Sequence, residues 1–173
     1  MKNLLHVGLD VGSTTVKIAV FDSNFNIIYT NYERHFSDTK NTICKVLESL
    51  VEKFSDSDFT IALTGSGAMS AATFLDLPFI QEVIACKRAV EKYLPTTNVV
   101  IELGGEDAKI IYFGKSIEQR MNGTCAGGTG AFIDQMASLL NTDAAGLNEL
   151  AKNHKIIYPI ASRCGVFAKT DIQ

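Results

Sequence analysis

Gly8-Leu-Asp-Val-Gly-Ser-Thr-Thr-Val-Lys17 leaves a short apolar run, turns at a glycine and enters a β-branched run. A strand that closes on an acid, turns within a few residues and resumes is a hairpin, because the connection is too short for a helical crossover. The same grammar recurs at Glu102-Leu-Gly-Gly-Glu-Asp-Ala-Lys109: apolar run, acid, glycine turn, acidic cluster, lysine, apolar run. The repeat predicts two related half-domains, residues 1–97 and 98–173, each presenting one loop to a shared cleft. Glycine turns offer N–H groups to phosphate oxygens, and nearby carboxylates suit a hydrated Mg²⁺. The echo therefore predicts a nucleotide held between two lobes.

Outward from the first hairpin, residues 4–10, 16–22 and 25–32 read as an antiparallel meander with Asp22-Ser-Asn24 as its second turn. Ser37 or Asp38 caps a helix over residues 39–54, with Ile43, Val46, Leu47, Leu50, Val51 and Phe54 on one face. Residues 59–64 form a strand running into Thr64-Gly-Ser-Gly67, and a helix over 82–93 is stopped by Pro95. Residues 99–103, 108–113 and 116–121 repeat the meander around Gly104-Gly105. Helices follow over 131–140 and from Asn141 or Thr142 to about 152, and the tail from 156 carries no assignment. The pattern is α/β.

The 173 residues are 46% hydrophobic and 20% charged, an ordinary globular mixture long enough to bury a core. A net charge of −3 without a basic run argues against nucleic acid or an anionic membrane surface. No apolar run approaches the ~20 residues of a membrane span, and the N-terminus does not read as a signal peptide. The expected location is cytoplasmic. Four cysteines, Cys44, Cys86, Cys125 and Cys164, are spaced too widely for a zinc knuckle.

In the first hairpin Asp10 closes a strand, Gly12 allows the tight turn, and Ser13, Thr14 and Thr15 offer N–H and hydroxyl groups to phosphate, with Lys17 as a cation. The loop is neither a Walker A sequence nor Gly-x-Gly-x-x-Gly. Alone it also reads as a plain hairpin turn, since Gly, Ser and Thr are turn residues; the second copy weighs against that. There Gly104 and Gly105 permit close backbone approach to a phosphate, and Glu106 and Asp107 suit a Mg²⁺ water or an attacking water. The competing reading is a surface turn with solvated acids.

Cys125, in Asn122-Gly-Thr-Cys-Ala-Gly-Gly-Thr-Gly130, precedes a helix start, where free N–H groups favour a thiolate. Cys164 sits between Arg163 and Gly165. Two cysteines cannot hold a four-thiolate cluster, but a symmetric dimer supplies four. On these residues alone, two ordinary cysteines is the favoured reading. Cys44, between core positions on a helix, reads as structural or partly exposed, and Cys86, on the helix over 82–93, reads as buried. His6, His35 and His154 show no ligand spacing.

Taken in order, Gly8 to Lys17, Thr64-Gly-Ser-Gly67, Glu102 to Lys109, Cys125-Ala-Gly-Gly-Thr-Gly-Ala-Phe132 and Cys164-Gly-Val-Phe-Ala168 resemble the ATP-dependent activators of 2-hydroxyacyl-CoA dehydratases. These lie within the BadF/BadG/BcrA/BcrD ATPase family of the acetate and sugar kinase, heat-shock protein and actin superfamily. The resemblance covers nearly the whole chain, and the cysteine segments are its specific part. It implies an actin-like (ribonuclease H-like) ATPase fold with a mixed sheet, an N-terminal meander and flanking helices. ATP or ADP with Mg²⁺ is then the ligand. Asp10, Glu106 and Asp107 are the catalytic candidates, with Asp10 reaching Mg²⁺ through water. Gly12, Ser13, Thr14, Thr15, Lys17, Gly104 and Gly105 are the nucleotide contacts. By the same resemblance, Cys125 and Cys164 from each of two subunits hold one 4Fe-4S cluster. The implied partners are a ferredoxin or flavodoxin donor, a 2-hydroxyacyl-CoA dehydratase-like or benzoyl-CoA-reductase-like component, and a second copy of the chain.

Two departures stand out. Glu102 and Glu106 occupy positions where the family usually has Asp and Gln, and Cys86 in Glu82-Val-Ile-Ala-Cys86 occupies that of a histidine. This variant resembles the N-terminal module of very long activator-like proteins. The family continues with an adenosine loop and a closing helix, so the resemblance implies a second lobe that is truncated here. The alternatives are a sugar- or acetate-type kinase and a non-catalytic nucleotide-binding regulatory module.

Overall fold

Leu5, Val7, Leu9 and Val11 alternate along β1 (Asn3–Val11) and are all buried, whereas His6, Gly8 and Asp10 fall on the opposite face. That period of two is the strand signature, and it aims one face at a core. β2 (Thr15–Phe21) pairs antiparallel with β1 and contributes Val16, Ile18 and Val20 to the same core. β3 (Ile27–Arg34) extends the meander. In the computed structural model, residues 2–114, 116–122 and 127–173 are described.

The turn between β2 and β3 is tied by Asp22, whose Oδ1 accepts from the N–H groups of Asn24 and Asn26. Phe25 there adopts φ 60°. This turn moves the third strand two residues later than the sequence predicts.

α1 (Thr39–Lys53) begins at Asp38, whose Oδ1 accepts from the Asn41 N–H. Its buried residues are Ile43, Val46 and Leu50, spaced to one helical face. Val51, expected on that face, is exposed, because it falls about 100° round from Leu50. β4 (Ser57–Thr64) pairs parallel with β1, giving a mixed sheet in the order β3-β2-β1-β4. The segment after α2 (Ala68–Leu75) covers the far edge of β4, with the Leu63 N–H bonded to the Pro78 carbonyl and Ile80 N–H to that of Leu63. α2 went unassigned in the sequence; its short Ala-rich run buries only Ala68 and Ala72 and carries little periodic signal. α3 (Glu82–Tyr93) follows. α1 and α2 pack against the sheet, joining Ile43, Val46, Leu50, Ala68 and Ala72 to the strand residues in one core.

Residues from Asn98 form a second unit. β5 (Val99–Leu103), β6 (Ala108–Phe113) and β7 (Ile117–Met121) make an antiparallel sheet in that order. α4 (Gly130–Leu139) packs against α5 (Ala144–Lys152) and α6 (Gly165–Ile172). The Asp143 carboxylate caps α5 by accepting from the Gly146 N–H. α6, in the unassigned tail, starts at Cys164. Among the described residues no helix is long and apolar enough to cross a membrane.

Candidate functional site

The first hairpin is held by its own backbone. The Gly12 N–H donates to the Thr15 carbonyl at 2.9 Å, so Gly12 supplies the turn rather than a free donor. Thr15 is 4% exposed. Ser13 is exposed and Thr14 half-buried, which leaves these two as the residues facing outward at the tip. Asp10 and Lys17 are direct partners in the β1/β2 register, and Lys17 Nζ lies 2.7 Å from Asp10 Oδ2. Asp10 Oδ1, by contrast, is buried and has no hydrogen-bond partner among the described residues.

A buried carboxylate oxygen without a donor is costly, and such an orphan calls for a water or an ion. Asp10 therefore fits the hydrated Mg²⁺ that the sequence suggests: Lys17 engages one oxygen, and the other remains to accept from a metal-bound water.

His35 braces this hairpin, a role that no residue spacing announces. Its N–H donates to the Thr14 carbonyl at 3.1 Å. The Ser37 N–H donates to His35 Nδ1 at 3.1 Å, which requires Nδ1 to be the acceptor. Nε2–H is then the donor to the Gly12 carbonyl at 3.2 Å. His35 as a whole is 7% exposed. The next two residues, Phe36 and Ser37, have φ of 45° and 69°, a conformation that non-glycine residues adopt at a cost.

The second loop follows the same plan within its own unit. Glu102 and Lys109 are register partners, Nζ to Oε1 is 3.3 Å, and Lys109 is buried. The Gly104 N–H donates to the Asp107 carbonyl at 2.7 Å. The first amides of α4 then grip the turn: Gly130 N–H donates to the Gly104 carbonyl at 2.9 Å and Ala131 N–H to the Gly105 carbonyl at 2.8 Å. A Cβ on Gly130 would lie 3.3 Å from the Gly104 oxygen, so glycine permits the approach. These two amides are committed to the loop and are not free to favour an anion. Glu106 and Asp107 are both exposed.

Cys125 lies outside the described residues. Cys164 is half-buried at the start of α6. Gly165 lies close to Gly127 and Phe132, since a Cβ on it would be 3.4 Å from Gly127 Cα and 3.5 Å from the Phe132 ring. The residue after Cys164 thus meets the second residue after Cys125. Cys44 is exposed, and Cys86 is half-buried rather than buried.

A mixed sheet opening with an acid-closed hairpin, followed along the chain by a second meander that repeats its acid–glycine–lysine loop, matches the actin-like ATPase fold. The chain belongs to the BadF/BadG/BcrA/BcrD ATPase family, whose model matches residues 7–173. It is 31% identical over 172 residues to the (R)-2-hydroxyglutaryl-CoA dehydratase activating ATPase of Acidaminococcus fermentans, covering 96% of this chain and 65% of that one. It is 32% identical over 173 residues to the 2-hydroxyisocaproyl-CoA dehydratase activator of Clostridioides difficile, covering 96% and 64%. Among solved structures, the activator of the 2-hydroxyisocaproyl-CoA dehydratase from Clostridium difficile with bound ADPNP superposes with a TM-score of 0.85. That match has 29% identity over 96% of this chain and 63% of that one. The chain thus spans just under two thirds of the length of these relatives.

Proposed function

We propose that this chain is the nucleotide-binding part of an ATP-hydrolysing activator that delivers an electron to a 2-hydroxyacyl-CoA dehydratase-like or benzoyl-CoA-reductase-like component. The observation that carries the reading is the divided Asp10 carboxylate, one oxygen on Lys17 and the other buried without a partner. In a family of ATPases, with an ADPNP-bound neighbour of the same fold, such a group is suited to a metal-bound water beside the nucleotide phosphates. Ser13 and Thr14 meet the phosphates at the hairpin tip. Gly104 and Gly105, with Asp107 and Glu106, form the second phosphate loop, where an acid accepts the proton of the attacking water.

Cys125 and Cys164, two from each of two copies, would hold a 4Fe-4S cluster; the approach of Gly165 to Gly127 supports pairing these segments. When bound, such a cluster supplies one-electron transfer, with a ferredoxin or flavodoxin as the donor. The chain's own part is to link the loop at Gly104 and Gly105, through the α4 amides, to the helix that follows Cys125.

Anaerobic purification followed by iron and sulfide quantification tests the cluster, and ADPNP calorimetry tests the nucleotide site. The expected result is Mg²⁺-dependent ADPNP binding, with iron that is lost in Cys125→Ala and Cys164→Ala and kept in Cys44→Ala. A colourless protein that transfers phosphate to a sugar or acetate would replace this reading with the kinase.

A further inference from the structure

Asp10 and Thr64 occupy the same rung of the parallel β1/β4 ladder. Partners on one rung project to the same face of a sheet, here the face opposite the core side chains Leu9 and Leu63. Among the described residues, Asp10 Oδ1 and Thr64 Oγ1 are the two buried side-chain oxygens without a hydrogen-bond partner. They stand together at the strand ends, beside the first hairpin.

The surrounding backbone is shaped around that point. Gly65 has φ 100°, and a Cβ there would collide with Asp10 Oδ1 and with the Val11 carbonyl. The Gly67 N–H donates to that same Val11 carbonyl at 2.8 Å. A Cβ on Gly67 would lie 3.1 Å from Val11 Cγ1. The turn between β4 and α2 is thus drawn tight against the end of β1, and it carries the Thr64 hydroxyl with it.

We propose that Thr64 is a positioning residue for the metal-bound water, its hydroxyl and Asp10 Oδ1 together fixing one water of hydrated Mg²⁺. The chemistry of the pair is complementary. The carboxylate only accepts, while the hydroxyl both donates and accepts. A water that donates one hydrogen to each oxygen keeps its lone pair for a cation. A hydroxyl turned toward Asp10 would otherwise bond to it directly, and it does not. This inference rests on the nucleotide reading above and adds to it a residue from a different strand and turn.

The test is calorimetric titration of ADPNP into wild type, Thr64→Val and Thr64→Ser, each with Mg²⁺ and with EDTA, alongside thermal unfolding. Valine keeps the shape and removes the hydroxyl; serine keeps the hydroxyl. One hydrogen bond to a charged or metal-polarised group corresponds to about tenfold in affinity. Thr64→Val is therefore expected to lose about tenfold of the Mg²⁺-dependent gain in affinity, with its affinity in EDTA and its unfolding midpoint unchanged. Thr64→Ser is expected to keep most of the gain. Equal Mg²⁺ gain in wild type and Thr64→Val overturns this inference alone. A lower unfolding midpoint with unchanged Mg²⁺ gain assigns the hydroxyl a purely structural role and also overturns it. Wild type that fails to bind ADPNP under either condition sinks the nucleotide reading, and this inference falls with it.

Discussion

Lys17 Nζ lies 2.7 Å from Asp10 Oδ2, directly across the β1/β2 ladder. The pair is partly open to solvent, with the two side chains 38% and 30% exposed. Pairs of that exposure contribute at most about 1 kcal/mol to stability. The arrangement matters more for charge, because Lys17 neutralises a carboxylate beside which a polyanion would bind. Lys17→Met is therefore expected to shift stability by less than about 1 kcal/mol while weakening ADPNP binding about tenfold. Denaturant unfolding and calorimetry on the same preparation separate the two. A large stability loss with intact affinity would make the pair a structural one.

Glu102 and Lys109 repeat that pair seven residues apart, but in a drier setting. The Lys109 side chain is 8% exposed, against 38% for Lys17. Removing one partner of a charged hydrogen bond in such a place costs about 1–3 kcal/mol. Glu102→Ala should therefore destabilise more than Asp10→Ala, measured as the shift in urea midpoint at constant slope. Glu102→Asp tests the departure from the family pattern: the shorter acid is expected to recover only part of the loss.

Most of the fold was legible because its signals are local. The alternation Leu5-Val7-Leu9-Val11 and the 3.6-residue spacing of Ile43, Val46 and Leu50 each announce one face. α2 and α6 were not legible. Each is eight residues long and buries one or two alanines, so neither writes a periodic stripe. Within the candidate site, the hairpin that carries Asp10 and Lys17 was readable from the sequence pattern. The placement of Thr64 against Asp10 and the bracing of the hairpin by His35 were not, because they arise from a parallel pairing 54 residues apart and from a bond that spans 23 residues. Residue type alone suggests Thr15 as a phosphate contact, and in the structure it is 4% exposed.

Neighbouring residues of α1 give a packing test. Leu50 is 1% exposed and sits in the sheet-facing core, whereas Val51 is 55% exposed. Leu50→Ala is expected to cost about 2–5 kcal/mol through lost burial and the cavity left behind. Val51→Ala should stay within about 0.5 kcal/mol. Comparable losses at both positions, read from denaturant unfolding, would contradict the orientation of the helix.

The Asp22 turn gives a pH test. The Asn26 side-chain amide, then the Asn26 and Asn24 N–H groups, hold the Asp22 carboxyl below its ordinary value of 3.8. A carboxyl lowered in the fold contributes stability that is present above the unfolded value and is lost as the pH falls through the folded one. In ¹³C-detected titrations Asp22 should therefore titrate below 3.8, and Asn26→Ala should move it upward. The stability difference between the two proteins should shrink as the pH drops into that acid range. An Asp22 titration unchanged in Asn26→Ala would show that the backbone donors alone set it.

His35 offers the sharpest separation between holding a loop and holding the fold. Its ring joins the Gly12 carbonyl to the Ser37 N–H, and its own N–H reaches the Thr14 carbonyl. Leucine at this position fills the space but leaves both ring partners unsatisfied, at about 1–3 kcal/mol for each group that water does not reach. Glutamine reproduces both roles, with Oε1 accepting from Ser37 and Nε2 donating to Gly12. His35→Leu is thus expected to lower the unfolding midpoint and to weaken ADPNP binding, while His35→Gln restores most of both. Hydrogen exchange adds the discriminating readout. The amide of Gly12, bonded to Thr15 within the hairpin, should lose protection in His35→Leu more than amides in the middle of β1 do. Uniform loss along β1 would mean that His35 supports the sheet as a whole; loss confined to the turn would mean that it sets the shape of the hairpin tip.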